Sequence, residues 1–466
     1  MKRKKTLIIL CASLLVICGA IVAVNAVEKH VDSINTIDET VISVDEDKLT
    51  SVSWTNEEGE VTFVKEEDEW KYSGDEDFPV SQILFSAFLD NFEDVRASFI
   101  IEDVEDYEQY GLADPEHTIT FHTEEGDTVI TTGTYSTMDE KRYICVDGGT
   151  VYLVETDIAE NLESVRDDFL DNDKIPYFYQ VKNIKITTDE TLDIIYDDEG
   201  EYIYSTNYDY YLVSGDEYKP VSTTNMNSLI NNITNETYTD YVTYKASEDD
   251  LSDYGFDDPD LTIYIQGDKY SEYTTEQLSD EDEISEAEFT IYFAHKDDET
   301  VYLHVDGSKI IYNFDAELYA ELSSMTYDDL RPSAVVSVEE DKLEKITAVV
   351  DGEEYTLDVK TDDNSGVVFS MGEKEVDGAT VLDDIEALSI TEFNSEESGD
   401  VVEFSFTLTL NTETELNIAI YRLDDENCLA IFNDEILGYV SRSQVVTLKE
   451  DFTKMLLSLN KTEEEE

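Results

Sequence analysis

An internal repeat constrains the fold of this chain more than any other feature of its sequence. Three motifs return once, in the same order: Ser73–Ser81 as Ser214–Ser222, Tyr110–Pro115 as Tyr254–Pro259, and Tyr143–Gly148 as Tyr302–Gly307. The offsets are 141, 144 and 159 residues, and the last is larger because the second copy carries extra residues around Asp268 to Glu288. Such self-similarity predicts homologous units that are each built in the same way.

A third, divergent copy follows the first two. Ser43–Leu49, at the start of the first copy, reappears as Ser337–Leu343. The third copy lacks the Tyr-Gly-x-x-Asp-Pro motif, and only Ser398-Gly399-Asp400 stands near its place. The predicted domains are repeat unit 1 at residues 43–175, repeat unit 2 at 176–335, a divergent unit 3 at 336–456 and an acidic tail at 457–466.

Two sequence periods recur within the copies. Val52 and Trp54 belong to an alternating apolar pattern, which is typical of half-buried strands. Phe85, Phe88 and Leu89 follow the i, i+3, i+4 spacing of a helix face, and Ser81 precedes them as a candidate N-cap. A second helix is expected at the end of each unit. The predicted class is α+β, with mainly antiparallel sheets and two helices per unit.

The N-terminus predicts a membrane anchor within residues 1–30. A basic cluster at residues 1–5 precedes Thr6–Val27, which carries no charge and is mostly apolar. Those 22 residues would form a helix of about 33 Å, enough to cross a hydrocarbon core of about 30 Å. Because basic residues stay on the cytoplasmic side, we expect a single-pass protein of the cell membrane whose C-terminal domains are extracytoplasmic.

Two other readings of the N-terminus stay open. Val24-Asn25-Ala26 is an acceptable cleavage site for a signal peptide, although the apolar run is long for one. Cys18, after Leu15-Val16-Ile17, could carry a lipid, but Ile17 is bulky where a small residue is expected.

Charge excludes one class of function. The chain has 112 acidic and 30 basic side chains, a net charge of −82. Since it lacks the Lys/Arg surplus that binds phosphates, we expect no nucleic-acid partner. Its 41% of hydrophobic residues is enough for a buried core.

The 30 tyrosines are interpreted as residues that pack in strands, with a carbohydrate- or peptide-binding surface as the alternative.

The Tyr-Gly-x-x-Asp-Pro motif is the most distinctive short signal. Gly permits the positive φ of a helix end or tight turn, and Pro favours extended backbone before it. We interpret the motif as structural, in eight residues: Tyr110, Gly111, Asp114, Pro115, Tyr254, Gly255, Asp258 and Pro259. A ligand site that uses Asp114 or Asp258 is the alternative.

No motif points to catalysis. With so many acids, carboxylate pairs arise everywhere by chance, and no phosphate loop or nucleophile elbow is present. The acidic run Ser279–Glu283 could supply calcium ligands, but it does not follow the EF-hand pattern and is interpreted as a solvated loop. Cys145 and Cys428 are too few for a disulfide framework. We predict no catalytic, cofactor or metal site and no enzyme.

The order of the motifs resembles the domain-of-unknown-function 4340 family. Gly-x-x-x-x-Pro-Val-Ser precedes a helix, Tyr-Gly-Leu-x-x-Pro precedes a strand, and Tyr-x-x-Val-Asp-Gly and Val165–Leu170 follow. The resemblance covers roughly residues 43–335. It implies a membrane-anchored bacterial protein that is linked with ABC transporters of the gliding-motility type, with a transporter permease or auxiliary subunits as partners.

Two functions are therefore weighed. The first is an extracytoplasmic accessory or binding protein of an ABC transporter system. The alternative is an acidic cell-envelope interaction protein that binds cations or cationic polymers through its surface charge.

Overall fold

The computed structural model describes residues 39–56, 59–200, 204–234, 236, 238–270, 284–297, 300–350, 352–362, 366–393 and 399–462. The described residues fall into two compact units, divided between Asn172 and Asp173. The predicted boundary at 175 and 176 lies close to this division, whereas the one at 335 and 336 lies inside the second compact unit. The predicted anchor, Thr6–Val27, is outside the described residues. Among the described ones, no helix is long and apolar enough to span a membrane.

The first compact unit holds one nine-stranded antiparallel sheet. Its strands are β1 (Glu39–Ile42), β2 (Leu49–Asn56), β3 (Gly59–Glu66), β4 (Glu69–Tyr72), β5 (Val95–Ile101), β6 (Thr118–Thr123), β7 (Gly126–Ser136), β8 (Lys141–Val146) and β9 (Val151–Val154). The order across the sheet is β1-β5-β9-β8-β7-β6-β2-β3-β4. Trp54 lies opposite Val61 on one side and Ile119 on the other, and all three are buried. The predicted alternation in β2 therefore faces the core.

The second compact unit holds two more nine-stranded sheets. The second sheet contains β10 (Phe178–Thr187), β11 (Thr191–Tyr196), β12 (Tyr210–Ser214), β13 (Glu217–Val221), β14 (Tyr241–Thr243), β15 (Leu261–Tyr270), β16 (Ile284–Asp297), β17 (Thr300–Val305) and β18 (Ile311–Phe314). The third contains β19 (Leu343–Val350), β20 (Glu353–Asp362), β21 (Gly366–Met371), β22 (Lys374–Val376), β23 (Ile390–Phe393), β24 (Val401–Leu410), β25 (Glu415–Arg422), β26 (Asn427–Phe432) and β27 (Glu435–Ser441).

The second and third sheets share one topology. Their orders are β13-β12-β11-β10-β15-β16-β17-β18-β14 and β22-β21-β20-β19-β24-β25-β26-β27-β23. When the strands of each sheet are counted in chain order, the first pairs with the sixth: β10 with β15, and β19 with β24. The fifth strand lies at one edge of the sheet and pairs with the ninth: β14 with β18, and β23 with β27. The first sheet has the same order over eight strands and adds β1 at the edge beside β5. The third unit therefore keeps the repeat fold although its sequence has lost the Tyr-Gly motif.

Helices are few beside these strands. They are α1 (Gln82–Asp90) and α2 (Ala159–Leu162) in the first unit, then α3 (Thr223–Thr234), α4 (Glu248–Asp253), α5 (Ala316–Ser323) and α6 (Tyr327–Leu330), then α7 (Ala379–Glu386) and α8 (Arg442–Thr462). Short 3-10 turns lie at Glu46–Lys48, Glu108–Tyr110, Arg166–Phe169 and Glu340–Lys342. The described chain is mainly β, which corrects the balance suggested by the α+β prediction. The three repeated antiparallel units are as predicted.

The first predicted helix is confirmed with its buried face. Phe85, Phe88 and Leu89 are 0%, 6% and 2% exposed. The Ser81 hydroxyl accepts from the amide of Leu84 at 3.5 Å, so it caps the helix as expected. Aromatic packing against the β2–β3 hairpin holds this helix on the sheet.

Candidate binding cleft

The Tyr-Gly-x-x-Asp-Pro motif forms the same helix end in both copies. Gly111 has φ +71°, and the amide of Leu112 donates to the carbonyl of Tyr107 at 3.0 Å. Gly255 has φ +97°, and the amide of Phe256 donates to the carbonyl of Leu251 at 3.0 Å. A glycine with positive φ and a bond that spans five residues are typical of a Schellman C-cap.

Two repeat motifs meet through their tyrosines. The rings of Tyr110 and Tyr143 lie 5.0 Å apart, and those of Tyr254 and Tyr302 lie 4.8 Å apart. The acids and prolines of the motif follow at the surface: Asp114 and Asp258 are exposed, and Pro115 and Pro259 are half-buried. The structure places four of the eight motif residues at a helix end in the first compact unit and the other four at a helix end in the second.

His304, Cys145 and Cys428 are packed side chains. His304 is 5% exposed, its Nδ1 lies 3.2 Å from the carbonyl of Ile310, and its ring contacts Phe256. Cys145 and Cys428 are 3% and 0% exposed, and burial raises the pKa of the Cys428 thiol to about 11. The acidic run Ser279–Glu283 lies outside the described residues. Within the described ones, no group of three or more His, Cys, Asp or Glu could hold a metal ion.

A cleft between the second and third sheets is a better candidate for function. Its volume is about 840 Å³, and residues of both sheets line it. Drug-sized ligands bind in protein cavities of roughly 300–1,000 Å³. The whole cleft lies within the second compact unit.

Two hairpin tips form the mouth of the cleft. The β12–β13 hairpin turns at Gly215 with φ +66°, and the β26–β27 hairpin turns at Asn433 and Asp434 with φ +46° and +70°. Four exposed carboxylates stand on these tips: Asp216, Glu217, Asp434 and Glu435. Lys219 of the first hairpin approaches Glu435 of the second, with 3.9 Å between Nζ and Oε1.

Tyrosines form the inner wall. Tyr204 and Tyr208 are 7% and 4% exposed, and their rings meet edge to face at 5.8 Å. The Tyr327 hydroxyl donates to the carbonyl of Pro220 at 2.9 Å, whereas the Tyr208 hydroxyl forms no hydrogen bond with a described residue. Burial, and after it the neighbouring tyrosines, raises the pKa of the Tyr208 phenol well above its ordinary value. The phenol is therefore neutral at physiological pH.

Arg331 lines the cleft and contacts residues of the third sheet. Its guanidinium carbon lies 3.4 Å from the ring centroid of Phe393, and Nη2 donates to the carbonyl of Leu437 at 2.9 Å. Nε lies 3.2 Å from Oδ1 of Asp328 but forms no hydrogen bond with a described partner. Desolvation lowers the pKa of Arg331, against the attraction of Asp328. The arginine joins the end of the second repeat to two strands of the third.

Further contacts fix the two sheets together behind the cleft. The amide of Glu339 donates to the carbonyl of Tyr204 at 2.8 Å, and the hydroxyls of Ser205 and Ser337 share a hydrogen bond of 2.7 Å. Tyr204 and Tyr208 also belong to the apolar core of the third sheet. The inner wall is therefore part of a packed core and holds its shape.

Sequence reasoning missed this cleft because it assigned the tyrosines to strand packing. A local signal was present: five tyrosines lie between residues 202 and 211. The acids of the first hairpin belong to the repeated Ser-Gly-Asp-Glu segment, which also occurs in the first copy. Asp434 and Arg331 carry no local signal, because only the packing of two sheets brings them to the cleft.

The family model described as "Domain of unknown function (DUF4340)" matches residues 70–246 and residues 211–404. The chain belongs to the DUF4340 family. The two DUF4340 matches start 141 residues apart, the same spacing as Ser73 and Ser214. The third-sheet hairpin at the mouth of the cleft, with Asp434, lies beyond both DUF4340 matches. Comparison with curated proteins and with solved structures finds no match.

Proposed function

We propose that this protein is a membrane-anchored extracytoplasmic binding protein that acts as an accessory of an ABC transporter system, and that it works by binding without turnover. The observation that carries the binding role is the cleft between the second and third sheets. It has the volume of a ligand site, a buried aromatic wall and a charged mouth. A packed core holds that wall in place, so binding requires little ordering of side chains.

The membrane anchor and the transporter partner are supported by the sequence. The basic cluster at residues 1–5 and the uncharged run Thr6–Val27 fit a single-pass anchor with its C-terminal domains outside. The transporter association follows from the resemblance described above. An extracytoplasmic binding protein held beside its transporter keeps the ligand at a high local concentration.

Protease accessibility tests the topology. The full-length chain, with an epitope at its C-terminus, is expressed in a bacterial host, and proteinase K is added to intact protoplasts. We expect loss of the C-terminal epitope while a cytoplasmic control protein stays intact. Protection of the epitope until the protoplasts are lysed would refute the extracytoplasmic placement.

Co-purification tests the accessory role and separates it from the charge-based alternative. The full-length chain is purified from detergent-solubilised membranes without cross-linking, at 0.15 M and at 1 M salt. The accessory role predicts recovery of a transporter permease at both salt concentrations. Raising salt to 1 M shortens the Debye length from about 10 Å at 0.1 M to about 3 Å. If every partner is lost at 1 M, surface charge is the cause and the alternative function is favoured.

A further inference from the structure

We propose that the side chain of Gln82 closes the β4 edge of the first sheet, and that without it this edge pairs with β4 of a second copy of the chain. Backbone N–H and C=O groups at a sheet edge can add a strand from another molecule. β4 is such an edge, because it pairs with β3 and ends the strand order of the described sheet. The inference concerns self-association and does not depend on the proposed transporter role.

Trp70 presents the outward backbone groups of β4. Glu66 and Glu69 flank the two-residue turn of the β3–β4 hairpin and lie opposite each other. Farther along, the Ser73 amide donates to the carbonyl of Thr62 at 3.0 Å. Because hydrogen-bonded positions alternate along antiparallel strands, Glu69 and Ser73 face β3 and Trp70 faces away from it.

The carboxamide of Gln82 bonds to both outward groups. The Trp70 amide donates to Oε1 of Gln82 at 2.7 Å, and Nε2 donates to the carbonyl of Trp70 at 3.0 Å. Nε2 also donates to the carbonyl of Val80 at 3.0 Å. A carboxamide has the donor and the acceptor of a peptide group, so these bonds stand in for a neighbouring strand. Gln82 is exposed, and the edge that it covers therefore lies at the surface.

The other two sheets show what this edge accepts. β12 and β21 occupy the place of β4, and each pairs on its outer side with one more strand, β13 and β22. In the first unit the corresponding segment turns instead: the Phe78 amide donates to the carbonyl of Asp75 at 3.1 Å, and Phe78 is buried. A strand thus fits beside the β4 place of this fold, and in the first unit the chain does not supply one.

The residue that follows the helix cap differs where an outer strand is present. Gln82 follows Ser81 in the first copy, as Thr223 follows Ser222 in the second. The Thr223 hydroxyl accepts from the amide of Asp209 at 3.0 Å, and β13 pairs with β12. The long carboxamide therefore stands in the copy whose edge lacks an outer strand.

Light scattering of the full-length chain in detergent tests the proposal. The protein mass is measured against concentration in 1 M salt, where a Debye length of about 3 Å screens the repulsion between copies of charge −82. We expect Gln82→Ala to form a dimer at concentrations about tenfold below those of the unmodified chain. Gln109→Ala is the matched control, since Gln109 of the same unit donates to the nearby carbonyl of Asp106, and it should match the unmodified chain.

Gln82→Glu locates the contact at the edge. Its carboxylate still accepts from the Trp70 amide, and a charge at an edge opposes strand pairing, so this variant should not dimerise. Equal association of Gln82→Glu and Gln82→Ala means that the contact lies elsewhere and overturns the proposal.

Amide exchange followed by mass spectrometry shows whether the edge has opened. In Gln82→Ala, kept dilute, the Trp70 amide should exchange about tenfold faster than in the unmodified chain. Faster exchange without any gain in association overturns the proposal, and so does unchanged exchange. Tryptophan emission verifies the fold of each variant, and Gln82→Ser, whose side chain is too short to reach Trp70, replaces Gln82→Ala if the latter does not fold.

Discussion

Gly111 can show whether the Tyr-Gly motif serves the fold through backbone geometry and close packing. A Cβ built on Gly111 would lie 2.7 Å from Cγ2 of Thr134 and 2.8 Å from its backbone nitrogen. Gly148, in the same unit, has a similar φ of +66°, but no atom lies within 4 Å of its would-be Cβ. The pair Gly111→Ala and Gly148→Ala therefore separates the strain of positive φ from the clash with β7.

The expected costs follow from these distances. Left-handed backbone costs a residue with a Cβ about 1–2 kcal/mol, and this term is common to both variants. Overpacking against a strand adds about 1–3 kcal/mol, and this term falls on Gly111→Ala alone. With a urea slope of about 1–3 kcal/mol per M, a difference of about 2 kcal/mol separates the two unfolding midpoints by about 1 M.

Tryptophan fluorescence reports on this unit selectively. The chain has two tryptophans, Trp54 and Trp70, and both are buried in the first compact unit. In urea unfolding followed by tryptophan fluorescence, Gly111→Ala should have a midpoint well below that of Gly148→Ala. Gly255→Ala, in the second unit, should leave the midpoint of this transition unchanged. Equal midpoints for Gly111→Ala and Gly148→Ala would refute the close-packing argument.

Three further outcomes are expected. Phe85→Ala should lower the free energy of unfolding that tryptophan fluorescence reports by about 3–5 kcal/mol, because Phe85 is fully buried against Phe63 and Trp70. Ile83→Ala, at an exposed neighbouring position, serves as the control. A loss below about 1 kcal/mol for Phe85→Ala would contradict the packing. Burial, and then the Asp451 carboxylate, raises the pKa of Asp384, so its protonated form stabilises the fold at low pH and that contribution is lost as pH rises through the raised pKa. Asp384→Asn should therefore melt above the unmodified chain at pH 7 by calorimetry, with the gap closing toward pH 3, and a gap of equal size at both pH values would contradict this. Cys428 should not react with iodoacetamide in the native protein and should react after denaturation, because its thiol is buried and burial raises its pKa to about 11. Peptide mapping that finds Cys428 alkylated in the native protein would contradict this.

Much of the fold could be predicted because the repeated motifs mark turns and helix ends. Ser81 at a helix start and Gly111 at a helix end are local signals, and each adopts the expected geometry. The shared topology of the third sheet was not visible to the same extent, since Cys428 stands where the other copies have Tyr143 and Tyr302. All three occupy corresponding strands, β26, β8 and β17. Tyr143 and Tyr302 are half-buried whereas Cys428 is fully buried, so the strand is kept although the size and the burial of its side chain differ.

The cleft could not be predicted in the same way because its parts are far apart in sequence. Tyr208, Arg331 and Asp434 come from three separate segments, and no spacing rule connects them. Their meeting depends on how the second sheet packs against the third, through contacts such as the hydrogen bond from Glu339 to Tyr204. A periodic pattern reports which face of an element is buried, but it carries no information about which surface of another unit covers that face.

The division between repeated and unrepeated residues gives a reason to look for function at this cleft. Asp216 and Glu217 have counterparts in the first copy, Asp75 and Glu76, so acidic hairpin tips belong to the repeat itself. The tyrosine-rich segment before β12 has no counterpart among the repeated motifs. The β26–β27 turn corresponds to the turns that end the Tyr143–Gly148 and Tyr302–Gly307 motifs, and it carries Asp434 with positive φ where those copies have Gly148 and Gly307. A repeat supplies a scaffold in several copies, and a specific site requires residues that break the equivalence of those copies. At this cleft Tyr208 and Asp434, which differ from the residues of the other copies, line one cavity, and the cleft is therefore the place where the equivalence of the copies is broken.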